Sequence, residues 1–246
     1  MKILIANDDG ILAPGLAALV RAFSGAGHEV IVCAPDAQRS AASHSMSFSP
    51  IAVKETALDG AARAYAIGGT PVDCVKLGVW KLCPDVDYVV SGINKGYNCG
   101  TDILYSGTVG AAREAAMFGY PAMAVSLAAE REDLYDHAAQ MALEMFNKQL
   151  EHPLPAYAVL NLNYPAQEVP EGIVCVPMAK RSHYIENYVR REEAGGVYYV
   201  IDGYPDPHAP ENADDWTMLR RGYATVTVLG HDLTDYGATD AFGRYL

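Results

Sequence analysis

Three short stretches of this chain carry side chains that suit chemistry on a phosphate ester. The first is Asn7-Asp8-Asp9-Gly10, directly after an apolar run. Two adjacent carboxylates repel one another unless a cation lies beside them. The second is Ser91-Gly92-Ile93-Asn94, which offers a hydroxyl and an amide oxygen. Carboxylate, hydroxyl and amide oxygens together make the hard donor set preferred by Mg²⁺ or Mn²⁺. Acidic residues placed before Pro14 also suit the start of a helix, so the pair at Asp8 and Asp9 has two readings, and Asn94 on the same edge favours the metal. The third stretch runs SGINKGYNCGTDILYSGTVGAAREAAMFG. Its Gly92, Gly96 and Gly100 permit close backbone approach or positive φ. Ser106-Gly107-Thr108 then opens a helix with free N–H groups and two hydroxyls at its positive end, a place for a phosphate. Ser106 by itself is more commonly an ordinary helix cap. Asn98 and the glycine spacing favour the phosphate. The combination suggests metal-assisted hydrolysis of a phosphate ester, with either aspartate able to hold or deprotonate water.

Other chemistries fit less well. The first turn lacks the G-x-G-x-x-G of a dinucleotide site, although Asp36 lies near where an acid would meet a ribose. Asn7 occupies the position where an aspartyl-phosphatase needs its nucleophilic aspartate, and an amide cannot serve. No G-x-S-x-G elbow is present. The seven histidines form no spaced ligand pair; His44 in the serine-rich loop is read as structural ahead of acid or base, and Arg39 as a surface residue ahead of a phosphate contact. A nucleotide- or dinucleotide-binding protein without a hydrolytic step is the alternative reading, and a non-catalytic assembly protein the third.

These residues need a parallel sheet to bring them together. Ile3 to Ala6, Val30 to Ala34, Tyr88 to Ile93, Ala122 to Leu127 and Tyr157 to Leu162 are apolar runs of strands buried on both faces. Between them, Leu16, Leu19, Val20 and Phe23 follow Pro14 at helical spacing. Thr70-Pro71-Val72-Asp73 reads as a capped helix start, and helices are expected over about 106–118 and 131–150. The fold class is α/β: a Rossmann-like, mostly parallel sheet with helices on both faces. Ligands in such sheets bind beyond the carboxyl ends of the strands.

The last third differs. Tyrosines crowd it, and Ile185 to Arg190 and Val197 to Ile201 flank Glu192-Glu193-Ala194-Gly195-Gly196 as a β-hairpin, an arm able to grip a second subunit. A short helix over 214–221, a strand over 223–229 and a final short helix follow. The chain thus divides into a core over 1–165 that binds metal and phosphate, and a C-terminal extension over 166–246 that does not fold by itself.

Composition limits the partners. Across 246 residues, 18 basic against 30 acidic side chains give a net charge of −12, which disfavours long nucleic acids and anionic membranes. Five cysteines without pattern read as free thiols of a reducing compartment, with Cys33 and Cys175 assigned to the core. No run is long enough for a membrane helix or a signal peptide, so a cytoplasmic location is expected.

At the same residues the chain resembles the survival-protein-E (SurE) family of nucleotidases. The matching stretches are ILIANDDGILAPGL, APDAQRSAASHS, GTPVDCVKLG, SGINKGYNCGTDILYSGTVGAAREA and DDWTMLRRGYATVTVL followed by DLT. The resemblance implies phosphate removal from nucleoside 5′- and 3′-monophosphates, one divalent metal ion per subunit, and homodimers or homotetramers built with the hairpin. It implies metal ligands at Asp8, Asp9, Ser40 and Asn94, and phosphate contacts at Asn98, Ser106, Gly107 and Thr108. Ser40 comes from the resemblance alone. Ala37, Gln38 and Ala41 depart from the arginine, asparagine and glycine usual in the family, and the hairpin tip departs from its aspartate-proline-arginine-glycine turn.

Overall fold

The computed structural model describes residues 1–181, 184–193, 195–208 and 212–245. His183 and the hairpin-tip residue Ala194 therefore lie outside the described residues. The chain opens with β1 (Lys2–Ala6), α1 (Pro14–Gly25) and β2 (Glu29–Pro35). Two short strands follow, β3 (Val53–Thr56) and β4 (Arg63–Ile67), then α2 (Pro71–Leu77) with a π-helical turn at Gly78–Leu82. Next come β5 (Tyr88–Lys95), a 3₁₀ turn at Gly100–Leu104, α3 (Gly107–Met117), β6 (Ala122–Leu127), α4 (Tyr135–Glu151) and β7 (Val159–Tyr164). The last third holds β8 (Ile173–Cys175), β9 (Tyr184–Glu193), β10 (Gly196–Pro205), α5 (Asp215–Arg220), β11 (Ala224–Leu229) and α6 (Tyr236–Gly243).

Nine strands form one sheet in the order β3-β4-β2-β1-β5-β6-β7-β11-β8. The strands from β4 through β7 are parallel. The first crossover carries the chain from β1 to β2 on one side, and the later return places β5 on the other side of β1. The strand order therefore reverses between β1 and β5, which opens a crevice at their carboxyl ends. Asp8 and Asp9 leave β1 at that crevice, and Asn94 ends up there on β5.

Alternation along β1 builds both faces of the core. Ile3 and Ile5 pack with Leu16, Leu19 and Phe23 of α1 and with Phe146 of α4. Leu4 and Ala6 pack on the opposite face with Cys74 and Val75 of α2 and with Val109, Ala112 and Ala115 of α3. The small residues of α3 let it lie close to the sheet. Thr70 caps α2 in a capping box with Asp73, and Pro71 follows in the first turn. The register of β5 on β6 shifts between Ser91 and Asn94. A Cβ at Gly92 would lie 2.4 Å from Val125 O, so no larger residue fits there.

The last third adds to the same sheet: β11 runs antiparallel to β7, and β8 pairs parallel to β11. Cys175 is exposed on that edge strand, which corrects its expected place in the core; three residues on an edge have no second neighbour to cover them. Tyr157 also lies outside its strand, since β7 begins at Val159 and Tyr157 is exposed at φ 65°. The hairpin of β9 and β10 is longer than the sequence suggests, with pairing from Tyr184↔Pro205 to Glu193↔Gly196. All ten residues of β9 are exposed, as is the whole of α6. Among the described residues, no helix is long and apolar enough to cross a membrane.

Candidate active site

The loop after β1 is shaped by Asn7. Its buried side chain donates Nδ2–H to Gly10 O at 2.9 Å and accepts the Gly10 N–H at Oδ1 at 3.1 Å. Gly10 turns there at φ 102°, a conformation suited to glycine. The serine-rich loop after β2 is laced to this turn: Ile11 N–H donates to Pro35 O at 2.9 Å and Arg39 N–H to Asp8 O at 2.7 Å. That second bond ties the backbone next to Ser40 to Asp8.

The carboxylates diverge from this loop. Asp8 is buried and reaches the N-terminus of α3. Thr108 holds it twice, donating Oγ1–H to Oδ1 at 2.5 Å and N–H to Oδ2 at 3.2 Å. Gly107 makes this possible, because a Cβ there would stand 3.0 Å from Asp8 Cβ, Asp8 Oδ2 and Pro71 Cγ. Asp9 turns toward β5 and accepts the Lys95 N–H at 3.0 Å. Gln38 Nε2 lies 3.5 Å from Asp9 Oδ1 and donates to Ser40 Oγ at 2.9 Å, so this departure from the family pattern bridges two of the expected ligands.

Burial pushes both carboxyls above the usual range. For Asp8 the hydrogen bonds from Thr108 work against that shift, while the charge of Asp9 adds to it. For Asp9 the Lys95 N–H and ammonium oppose it. A pair of carboxylates held this way, partly desolvated and next to each other, is stabilised in its charged form by a cation. Asn94 donates Nδ2–H to Gly96 O at 2.8 Å, which leaves its amide oxygen as the remaining acceptor. Ser40 is exposed. Among the described residues, no three His, Cys, Asp or Glu side chains gather as a metal cluster. The available donors are two carboxylates, an amide oxygen and a hydroxyl, a set that fits Mg²⁺ or Mn²⁺ better than zinc.

The expected phosphate residues divide into two groups. Ser106 caps α3 by accepting the Val109 N–H at 3.1 Å, and Thr108 is engaged with Asp8. The start of α3 thus spends its Thr108 and Val109 N–H groups on the Asp8 carboxylate and the Ser106 hydroxyl. Asn98 is buried, donating Nδ2–H to Ser126 Oγ at 2.8 Å and its backbone N–H to Asn163 Oδ1 at 2.8 Å. Its carbonyl accepts Nδ2–H bonds from Asn161 at 2.8 Å and Asn163 at 2.9 Å. These two asparagines were missed from the sequence, although Asn-Leu-Asn in an otherwise apolar strand places both amides on one face. Asp215 was missed as well: buried at the start of α5, it accepts N–H bonds from Gly100 and Ala179, each at 2.9 Å, and so ties the glycine loop to the last third.

A third cluster seats the serine-rich loop on α2 and α3. His44 Nε2 lies 2.6 Å from Glu114 Oε2, and Lys76 Nζ 3.2 Å from Glu114 Oε1. Burial alone would raise the Glu114 carboxyl, but the bonds from His44 and Lys76 outweigh it and hold the group below its ordinary value. Asp73 collects the Ser47 N–H and hydroxyl and the Thr70 N–H and hydroxyl. His44 thus ties the serine-rich loop to α3. Arg39 pairs with Asp36 at 3.1 Å on the surface.

Known proteins share this arrangement of sequence. The family described as Survival protein SurE matches residues 3–185. A protein named 5′-nucleotidase SurE from Nitratidesulfovibrio vulgaris is 44% identical over 252 residues, covering 99% of this chain and 92% of its own length. One named 5′-nucleotidase SurE 1 from Thermus thermophilus is 41% identical and covers 100% of this chain and 98% of its own. The crystal structure of the SurE protein from Aquifex aeolicus superposes with a TM-score of 0.85 at 33% identity, covering 100% of this chain and 99% of that one.

Proposed function

We infer that this chain, which belongs to the survival protein SurE family, is a 5′-nucleotidase, a phosphoric monoester hydrolase that frees phosphate from nucleoside monophosphates. Its relatives of the same name cover it nearly end to end, and nothing favours the reading of a binding protein without hydrolysis. The observation that carries the reading into the site is Asp8, buried at the strand-order reversal and held by two donors at the start of α3, with Asp9 beside it.

We propose that Asp8, Asp9, Ser40 and Asn94 hold one divalent ion, Mg²⁺ or Mn²⁺, through oxygen donors. When bound, such an ion sets positive charge against the phosphoryl oxygens and lowers the pKa of water. The residues of the chain do the rest. Thr108 aims Asp8, Lys95 aims Asp9 through its backbone N–H, and Gln38 links Asp9 to Ser40. Asn98, Ser106, Gly107 and Thr108 form the wall that meets the phosphate, where the positive end of the α3 dipole favours an anion. The two carboxylates, aimed from one loop, are placed to orient a water or accept its proton.

Nucleoside 3′-monophosphates are proposed as further substrates. The exposed hairpin and α6 are read as the surface that joins subunits into a homodimer or homotetramer. The segment over 166–246 is read as an extension of the 1–165 core, supported by β8 and β11 joining its sheet. A cytoplasmic location agrees with five free thiols. The test is phosphate release from nucleoside 5′- and 3′-monophosphates with Mn²⁺, Mg²⁺ or EDTA. Release that requires the metal supports the reading; release undiminished in EDTA overturns the metal site, and no release with any metal overturns the activity.

A further inference from the structure

Beyond the residues that meet metal and phosphate, the same sheet edge carries a cavity of about 380 Å³. That is within the usual size of small-molecule sites, about 300–1,000 Å³. It is lined by Tyr97, Glu130, Gln167, Trp216, Arg220 and Arg221 among others. Three features join it to the hydrolytic site. Tyr97 immediately precedes Asn98, whose Cα is therefore only about 3.8 Å away. Ser126, which holds the Asn98 side chain, lies in the strand that leads to Glu130. Glu130 and Pro165 follow β6 and β7, one and two strands beyond β5, a lateral step of about 5–10 Å.

The chemistry of the wall is unlike that of the phosphate site. Tyr97 and Trp216 are both partly buried aromatic rings, and Tyr184 at the root of the hairpin packs edge-on against Trp216 with ring centroids 5.3 Å apart. Arg220 and Arg221 are exposed and carry planar guanidinium groups, and Glu130 is exposed as well. Gln167 is held by bonds from Nε2 to Val169 O and Gly222 O, each at 3.0 Å, so its amide oxygen is fixed in orientation. A second phosphate would meet Glu130 and two aromatic rings. A flat heterocycle with both acceptors and donors on its rim is a better match, because every base offers a π-face to aromatic side chains and its edge can pair with Arg and carboxylate groups.

We propose that this cavity receives the nucleobase of the substrate, with Tyr97 and Trp216 as stacking walls and Arg220, Arg221 and Glu130 at the edge of the base. The proposal rests on the nucleotidase reading above and adds to it a site for the part of the substrate that does not react. Base binding of this kind contributes affinity at a distance from the reacting bond. Its loss therefore raises KM for nucleotides while a base-free ester feels it less.

The experiment compares adenosine 5′-monophosphate with ribose 5-phosphate, the same ester without a base, using the metal-loaded full chain. For Tyr97→Ala, the ratio of kcat/KM for the nucleotide to that for ribose 5-phosphate falls about tenfold, the size of one lost stack, and the change lies in KM. Tyr97→Phe keeps the ring and restores the ratio. Arg220→Ala, a surface change at the end of α5, gives a smaller fall in the same ratio and serves if the Tyr97 variant fails to fold. If the two substrates fall together, Tyr97 acts through Asn98 and the base site is overturned. If wild-type enzyme shows no preference for the nucleotide, the base site is overturned while the phosphatase reading stands. If the wild type cleaves neither substrate with any metal, the nucleotidase reading fails, and the base site with it.

Discussion

The bond from Thr108 to Asp8 is the contact on which the geometry of the site turns, and Thr108→Val isolates it. Valine keeps nearly the same volume and leaves the backbone N–H bond of 3.2 Å in place, but deletes the hydroxyl that lies 2.5 Å from Asp8 Oδ1. Asp8 is 5% exposed, so little water can replace the lost donor. A hydrogen bond to a charged partner contributes about 1.5–3 kcal/mol. In a domain of this size each kcal/mol moves Tm by about 2–4 °C, so the variant with Asp8 ionised melts roughly 3–12 °C lower. The same energy, lost from the aim of the carboxylate proposed to hold the metal, lowers turnover by about 10–150-fold. The assay is phosphate release at saturating nucleotide across a metal titration, beside thermal melts. The variant needs more metal for half-maximal rate and loses kcat, and Thr108→Ser, which keeps the hydroxyl, recovers both. A Thr108→Val enzyme with wild-type kcat and metal requirement would refute the role assigned to this bond.

Two further perturbations probe the neighbouring supports. Gly107→Ala puts a methyl group 3.0 Å from Asp8 and Pro71; overpacking of this kind costs about 1–3 kcal/mol, and phosphate release falls more than stability does, as melts and rates on one preparation would reveal. Asp73 is held below its ordinary value of 3.8: burial would raise it, but the bonds from Ser47 and Thr70 outweigh burial. Its contribution to stability is present above that ordinary value and is lost as pH falls through the lower folded value. Asp73→Asn is therefore least stable relative to wild type at neutral pH. The gap between their melting temperatures narrows as the pH drops below about 4; a gap independent of pH would remove Asp73 as the anchor of the serine-rich loop.

Much of the frame was legible because its signals are local. The continuous apolar runs that became β1, β2, β5 and β6 announce strands with two covered faces, and Thr70-Pro71-Val72-Asp73 announces a helix start that the structure builds as a capping box. The crevice followed from those strands, since the loops after β1 and β5 lie at the point of reversal in a parallel sheet. What escaped was either weak or long-range. Strand β8 has three residues on an open edge, too few for a pattern, and its Cys175 looked like core only because its neighbours are apolar. Thr108 and Asp8 are 100 residues apart, so a threonine that reads as part of a phosphate cradle gave no sign that it also grips a carboxylate. Asn161 and Asn163 did leave a trace, two amides spaced by two in a buried strand, but their partner is the backbone of Asn98, more than sixty positions away.

The most direct test of the account is Asp8→Asn. The amide preserves the size of the side chain and can still accept from Thr108, but it removes one of the two charges available to a divalent ion. The variant is expected to fold, with metal-dependent phosphate release from nucleoside 5′-monophosphates abolished at every metal concentration. Turnover near the wild-type rate in a well-folded Asp8→Asn protein would contradict it.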